Sequence, residues 1–161
     1  MNLFTATMVA ASILAATNGI GGKFAYNVKS QNGVVTQQAV YKVDKAGKYL
    51  SHHLMYDYQY DANNRLTQKT ILSWNAATEK WENSRRLNFS YNEGNCTVEY
   101  AQWNKKTNCF SGISEKVVYG FDSTNRLTGY QNFKLNEKTN QWSMVNNIAV
   151  TVPSVDLFAL E

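Results

Sequence analysis

The sequence predicts an all-β protein: an antiparallel meander of about eight strands built from repeated β-hairpins, forming a single curled sheet or an open barrel. Three observations carry this expectation. An eight-residue motif occurs twice, 61 residues apart, as Tyr60-Asp61-Ala62-Asn63-Asn64-Arg65-Leu66-Thr67 and Phe121-Asp122-Ser123-Thr124-Asn125-Arg126-Leu127-Thr128. The segments between such motifs alternate apolar and polar residues, the pattern of a strand with one buried face. Proline, which cannot donate to a strand ladder, occurs once, at Pro153.

At the N-terminus, residues 1–18 carry no charge, and Leu3 to Ala16 is apolar and rich in small residues. With the small-residue stretch Ala15-Ala16-Thr17, this reads as a helical export signal, too short to span a membrane. Residues 24–152 form the repeat-built domain, and residues 153–161 a C-terminal tail.

The domain contains three alignable units, starting at Tyr60-Asp61, Tyr91-Asn92 and Phe121-Asp122, at spacings of 31 and 30 residues. Each has a second landmark: Trp74-Asn75 to Trp81, Trp103-Asn104 to Phe110, and Leu135-Asn136 to Trp142. A shortened unit begins at Val43-Asp44. Both landmarks read as turns. Asp61 and Asp122 accept backbone hydrogen bonds from the residues that follow. Asn64, Asn125 and Gly47 take the left-handed position, which Asn and Gly tolerate best. The strands between them are expected at 34–43, 49–60, 65–74, 81–91, 95–103, 109–121, 126–135 and 142–152. Strict alternation places Leu66, Thr70, Leu72 and Trp74 on one face. It does the same for Trp81, Leu87, Phe89 and Tyr91, for Leu127, Phe133 and Leu135, and for Trp142, Met144, Ile148, Val150 and Val152. Such a face calls for a cover, supplied by curling of the sheet, by a helix or by the apolar segment Val155 to Leu160.

The motif Tyr60-Asp61-x-x-Asn64-Arg65-Leu66-Thr67 resembles the YD repeat of bacterial Rhs-type shell proteins, with Asn in place of Gly. The chain is more similar to small exported gut-bacterial proteins of the family called domain of unknown function 3836. These combine a signal peptide with a tyrosine- and tryptophan-rich hairpin repeat. The resemblance covers residues 24–152 and implies the hairpin fold. It supplies no substrate and no catalytic residue.

Composition narrows the function classes. The net charge of +4 is spread over lysines beside turns rather than gathered on one face, which argues against a nucleic-acid partner. Outside the N-terminal segment nothing is apolar enough for a membrane span. Cys96 and Cys109 are expected as free thiols, because the hairpin register separates them by about 23 Å. The two histidines, His52 and His53, are adjacent in a strand and point to opposite faces, so they do not share a metal. No phosphate loop, Cys-x-x-Cys or His-Glu-x-x-His motif is present. Glu99 and Glu115, in neighbouring strands, are the nearest approach to a carboxylate pair. No catalytic residue, metal ligand or cofactor is assigned.

The aromatic residues are the functional lead. Trp74, Trp81, Trp103 and Trp142 stand at hairpin ends beside Asn and Thr, where they pack across strands or stack on sugars. Tyr130 and His53 lie on the less apolar face. Arg65 and Arg126 have no evident structural task in the turn motif. The expectation is an exported, non-enzymatic module that binds a glycan polymer or a surface protein through Trp74, Trp81, Trp103, Trp142, Tyr130, Arg65 and Arg126. The alternative is an assembly protein that oligomerises through an exposed edge strand, 34–43 or 142–152. A glycan-processing enzyme using Glu residues is the third reading.

Overall fold

The computed structural model of the chain describes residues 8–14, as backbone, and residues 23–150. In chain order the strands are β1 (Met8–Leu14), β2 (Phe24–Gln31), β3 (Val34–Val43), β4 (Leu50–Tyr60), β5 (Leu66–Asn75), β6 (Lys80–Asn92), β7 (Asn95–Asn104), β8 (Cys109–Phe110), β9 (Glu115–Phe121), β10 (Leu127–Asn136) and β11 (Gln141–Ala149). The described residues contain no helix. The sheet is an open antiparallel meander in the order β1-β2-β3-β4-β5-β6-β7-β9-β10-β11, and the short β8 pairs with β7. The chain divides into two compact units, Met1–Asn88 with Tyr100–Gly112, and Phe89–Glu99 with Ile113–Glu161.

The turns form as the side chains dictate. Asp61 Oδ1 accepts hydrogen bonds from the backbone N–H groups of Asn63 and Arg65, both at 2.9 Å. Asp122 Oδ1 does the same for Thr124 and Arg126. Asp44 Oδ1 binds the N–H groups of Lys48 and Tyr49. Asn64, Asn125 and Gly47 are left-handed, with φ of 57°, 60° and 73°. In the second turn type, Asn75, Asn104 and Asn136 each accept two backbone N–H groups through Oδ1. There the left-handed residue is the fifth, Glu79, Asn108 or Asn140, with φ of 52–53°.

Four expectations need correction. Two strands, β1 and β2, precede the first expected one. β2 joins β3 through Asn32-Gly33, both at positive φ (52° and 80°), a two-residue turn of the kind that Asn-Gly favours. β3 is therefore an interior strand, flanked by β2 and β4, so the segment 34–43 is no free edge. Residues 8–14, within the expected helical signal, pair with β2 from Met8↔Ser30 to Leu14↔Phe24. The rest of that signal and the tail 153–161 lie outside the described residues. The segment 109–121 is two strands: Cys109–Phe110 pairs with β7 and Glu115–Phe121 with β10.

The fourth correction concerns the faces. The register shifts at Lys29/Ser30, Val40/Tyr41, Gln59/Tyr60, Ile71/Leu72, Leu127/Gly129 and Asn132/Phe133. Each bulge adds a residue to one strand and reverses the face of everything beyond it. Leu66 pairs with Tyr60, opposite in face to Thr70, Leu72 and Trp74. Trp81 pairs with Trp74, whereas Leu87 pairs with Lys69 on the other face. Leu127 pairs with Phe121 and is turned away from Phe133 and Leu135. Trp142 and Met144 are likewise separated from Ile148.

The described residues hold no second layer over the sheet. Among them only three apolar residues are buried: Ala25, Val40 and Ala101. Most other residues of β2 to β10 are half-buried, shielding one another sideways, which large rings and long aliphatic stems do well, whereas β11 is largely exposed. Among the described residues no helix is long and apolar enough to cross a membrane.

Candidate functional site

Residues paired across an antiparallel ladder share a face. In the unit Met1–Asn88 with Tyr100–Gly112, the registers of β2 to β6 therefore lay down transverse rows on one face. The first row is aromatic. Tyr41 pairs with His52, and Trp74 with Trp81. The His52 ring stacks on Trp74 at 4.2 Å (22° between planes), meets Trp81 edge-on at 5.4 Å and lies 5.2 Å from Tyr41. Trp74 and Trp81 meet edge to face at 5.1 Å. The second row carries neither ring nor charge: Asn27, Ala39, Met55, Leu72 and Asn83. The third is polar: Lys29, Gln37, Asp57, Thr70 and Arg86.

A groove runs along the uncharged row between the aromatic and polar rows. Its cavity of about 430 Å³ is lined by Asn27, Lys29, Gln37, Ala39, Tyr41, Met55 and Trp81. Residues from β2 and from β6 border one space, so this stretch of sheet is curled with the groove inside. Measured along the curled sheet, five strands at about 4.8 Å spacing span roughly 19 Å. Beyond Trp81 a second cavity of about 400 Å³ is bordered by Trp81, Glu82, Asn83, Trp103, Lys105 and Asn108. Trp103 meets Phe110 edge to face at 4.8 Å, and the Arg86 guanidinium lies 4.4 Å over Phe110.

Polar groups in this region are mostly committed. Gln37 Nε2 donates to Asp57 Oδ1 at 2.8 Å. The Glu82 carboxylate accepts from Lys105 Nζ at 2.7 Å and from Asn75 Nδ2, and these bonds hold it below the usual carboxylate range. Two atoms stand apart. Asn27 Oδ1 and Arg86 Nε are the only buried side-chain nitrogen or oxygen atoms among the described residues that lack a hydrogen-bond partner. Both residues belong to the groove rows.

The opposite face of the same unit is self-satisfied. Tyr58 Oη donates to Gln38 Oε1 and Tyr60 Oη to the Val35 carbonyl. Lys69 Nζ lies 4.1 Å over Tyr56 and 5.5 Å over Tyr58. Burial lowers the Lys69 pKa and raises that of Tyr58. His53 stacks on Phe24 at 5.6 Å on this face, and burial, aided by Lys42, lowers its pKa.

Of the residues singled out from the sequence, Trp74 and Trp81 come together in the aromatic row, and Trp103 borders the second cavity beyond Trp81. Trp142 lies in the other unit, paired with Leu135 and covered by Lys116 Nζ at 4.2 Å. Tyr130 is also there, 5.9 Å from Tyr119, beside a cavity of about 240 Å³ at Gly129 and Ile148. Arg65 and Arg126 sit in the turns. Arg65 has a structural task after all: its Nε donates to Asp61 Oδ2 at 2.8 Å. Glu115 pairs with Lys134 at 3.2 Å. Sequence reasoning missed Tyr41, His52, Asn27, Lys29 and Arg86. The Asn32-Gly33 turn would have revealed β2 and with it Asn27 and Lys29. Cys96 and Cys109 are free thiols. No group of His, Cys, Asp and Glu suited to hold a metal occurs among the described residues.

Known proteins place the chain by family rather than by activity. No curated protein matches it. The model of a family described as "Family of unknown function (DUF3836)" matches residues 1–120. A crystal structure of a protein of unknown function from Bacteroides fragilis is similar at 31% identity and a TM-score of 0.71, over 81% of this chain and 94% of that one. A DUF3836 family protein from Bacteroides vulgatus is 31% identical, with a TM-score of 0.51, over 54% of this chain and 87% of its own. One from Parabacteroides distasonis shares the fold at 23% identity and a TM-score of 0.57, over 65% and 94%. The family match over residues 1–120 establishes that this chain belongs to DUF3836, a family of unknown function.

Proposed function

We propose that the protein is an exported, non-enzymatic module that binds a glycan polymer along the transverse groove of β2 to β6. The observation that carries this reading is the row Tyr41, His52, Trp74 and Trp81 and the polar row Lys29, Gln37, Asp57, Thr70 and Arg86 on either side of an uncharged floor. Aromatic faces carry negative charge density that attracts the polarised C–H groups of a sugar ring, and the opposite wall supplies donors and acceptors for its hydroxyls. A cavity open at the surface suits a chain better than a single small molecule. The hydrogen bonds they accept hold the carboxylates of Asp44, Asp61, Glu82 and Asp122 below their ordinary values, which suits turn closure and pairing with Lys105 rather than proton donation.

A glycan array probed with the full-length protein, which keeps β1 beside β2, tests the proposal. Binding that Trp81→Ala abolishes, with the circular dichroism spectrum retained, is the expected result. Uniform absence of binding would overturn it.

One observation favours a second reading, assembly through β11. This strand ends the sheet order, and its Met144 and Val145 are 55% and 58% exposed. Strand addition at this edge predicts concentration-dependent oligomers that Val145→Pro disperses. A monomer at all concentrations removes this reading.

A further inference from the structure

We infer that the groove's ligand is an anionic glycan, one whose sugars carry carboxylate or sulfate groups; the inference rests on the glycan reading above. The polar row has a cation at each end, Lys29 on β2 and Arg86 on β6, joined through Gln37, Asp57 and Thr70. Its single carboxylate, Asp57, already accepts the Gln37 amide. Lys29 is exposed, borders the 430 Å³ cavity and belongs to none of the ion pairs among the described residues. The Arg86 guanidinium is stacked 4.4 Å over Phe110. The ring packs against it, and its buried Nε has no acceptor.

A desolvated guanidinium N–H without a partner is costly, more so than a neutral donor. A carboxylate or sulfate oxygen is the acceptor that suits it best, because charge-assisted hydrogen bonds are about twice as strong as neutral ones. Asn27 Oδ1 poses the complementary need: a buried acceptor on the groove floor that lacks a donor. A sugar hydroxyl supplies one. Lys29 at the cavity and the Arg86 guanidinium at the far end of the same row thus offer two cations to an anionic oxygen, Asn27 at the cavity meets a hydroxyl, and a charged polysaccharide presents both groups at once.

Affinity gel electrophoresis in matched pairs tests this. Polygalacturonate is compared with its methyl ester, and dextran sulfate with dextran, at about 0.15 M salt, where only contacts shorter than roughly 8 Å keep most of their strength. The expected result is binding to a charged member at least roughly tenfold tighter than to its neutral partner. Lys29→Ala and Arg86→Gln should each weaken the charged member more than the neutral one, while Trp81→Ala weakens both. Lys29 is exposed, so its variant keeps the test sound if Arg86→Gln fails to fold. Selective binding of polygalacturonate identifies carboxylate as the group recognised, and of dextran sulfate, sulfate. Equal affinity within each pair overturns the anionic inference and leaves the glycan reading standing. Retardation by charged gels that Trp81→Ala does not change overturns the glycan reading itself, since only general charge attraction would remain.

Discussion

Trp81 and Trp142 close the same turn type, seven residues after Trp74 in one unit and after Leu135 in the other. In both, the ladder brings the landmark residues face to face, Trp74↔Trp81 and Leu135↔Trp142. Their surroundings differ. Trp81 joins His52 and Tyr41 in a continuous aromatic wall above a cavity of about 430 Å³. Trp142 faces an aliphatic partner and carries a lysine at 4.2 Å over its ring. A repeated turn therefore fixes where an indole stands but leaves its chemistry to the neighbouring strands. The wall needs β3 and β4, which supply Tyr41 and His52, and it needs Trp rather than Leu at the first landmark.

The largest expected effect separates the two indoles directly. Trp81→Ala should weaken polymer binding roughly a hundredfold, the range of a central aromatic anchor, while Trp142→Ala stays within about twofold of the parent. Affinity electrophoresis of both variants measures it, and equal losses would erase the distinction drawn between the units. Next in size is Gly129→Ala. An added Cβ there would lie 2.5 Å from the Ile148 carbonyl oxygen, which is backbone and cannot swing aside. The expected cost is about 2 kcal/mol of stability in urea unfolding, with polymer binding by the folded protein unchanged.

The pH response should be shared by the two units, because it comes from the turns they have in common. The Arg65 backbone N–H, joined by its side chain and the Asn63 N–H, lowers the Asp61 pKa below its ordinary 3.8. Thr124, then the Arg126 and Thr124 N–H groups, lower that of Asp122, and the Tyr49 N–H leads for Asp44. A depressed folded-state pKa gives stability that is full above the ordinary carboxylate value and is lost as pH falls through the depressed one. Melting temperature should therefore drop below about pH 4, and less steeply in an Asp61→Asn, Asp122→Asn double variant. Parallel curves would show that these carboxylates are not the titrating groups. The smallest effect is a gain. Glu79 holds a left-handed φ of 52° where the equivalent positions are Asn108 and Asn140. Glu79→Asn should stabilise the protein by less than about 1 kcal/mol, read as a small rise in the urea midpoint.

Much of the fold was legible in the residues. Asp61, Asp122 and Asp44 close turns, and Asn64, Asn125 and Gly47 take the left-handed position, because these are local hydrogen bonds and local sterics. Asn32-Gly33 is an equally local turn signal, and β2 follows from it. The site was legible only in part. Trp74, Trp81 and Trp103 were visible as residues at hairpin ends, but His52 read as a lone histidine and Arg86 as one cation among many.

The sequence by itself determined the hairpins, their turn chemistry, the antiparallel meander and the strand ends at which the tryptophans stand. Only the tertiary structure decided the faces. A bulge is a one-residue excess in a pairing, defined by both strands at once, and each one reverses every side chain beyond it. That is why Trp81 parts from Leu87 and joins Trp74, and why residues from five strands fall into the rows that make a groove.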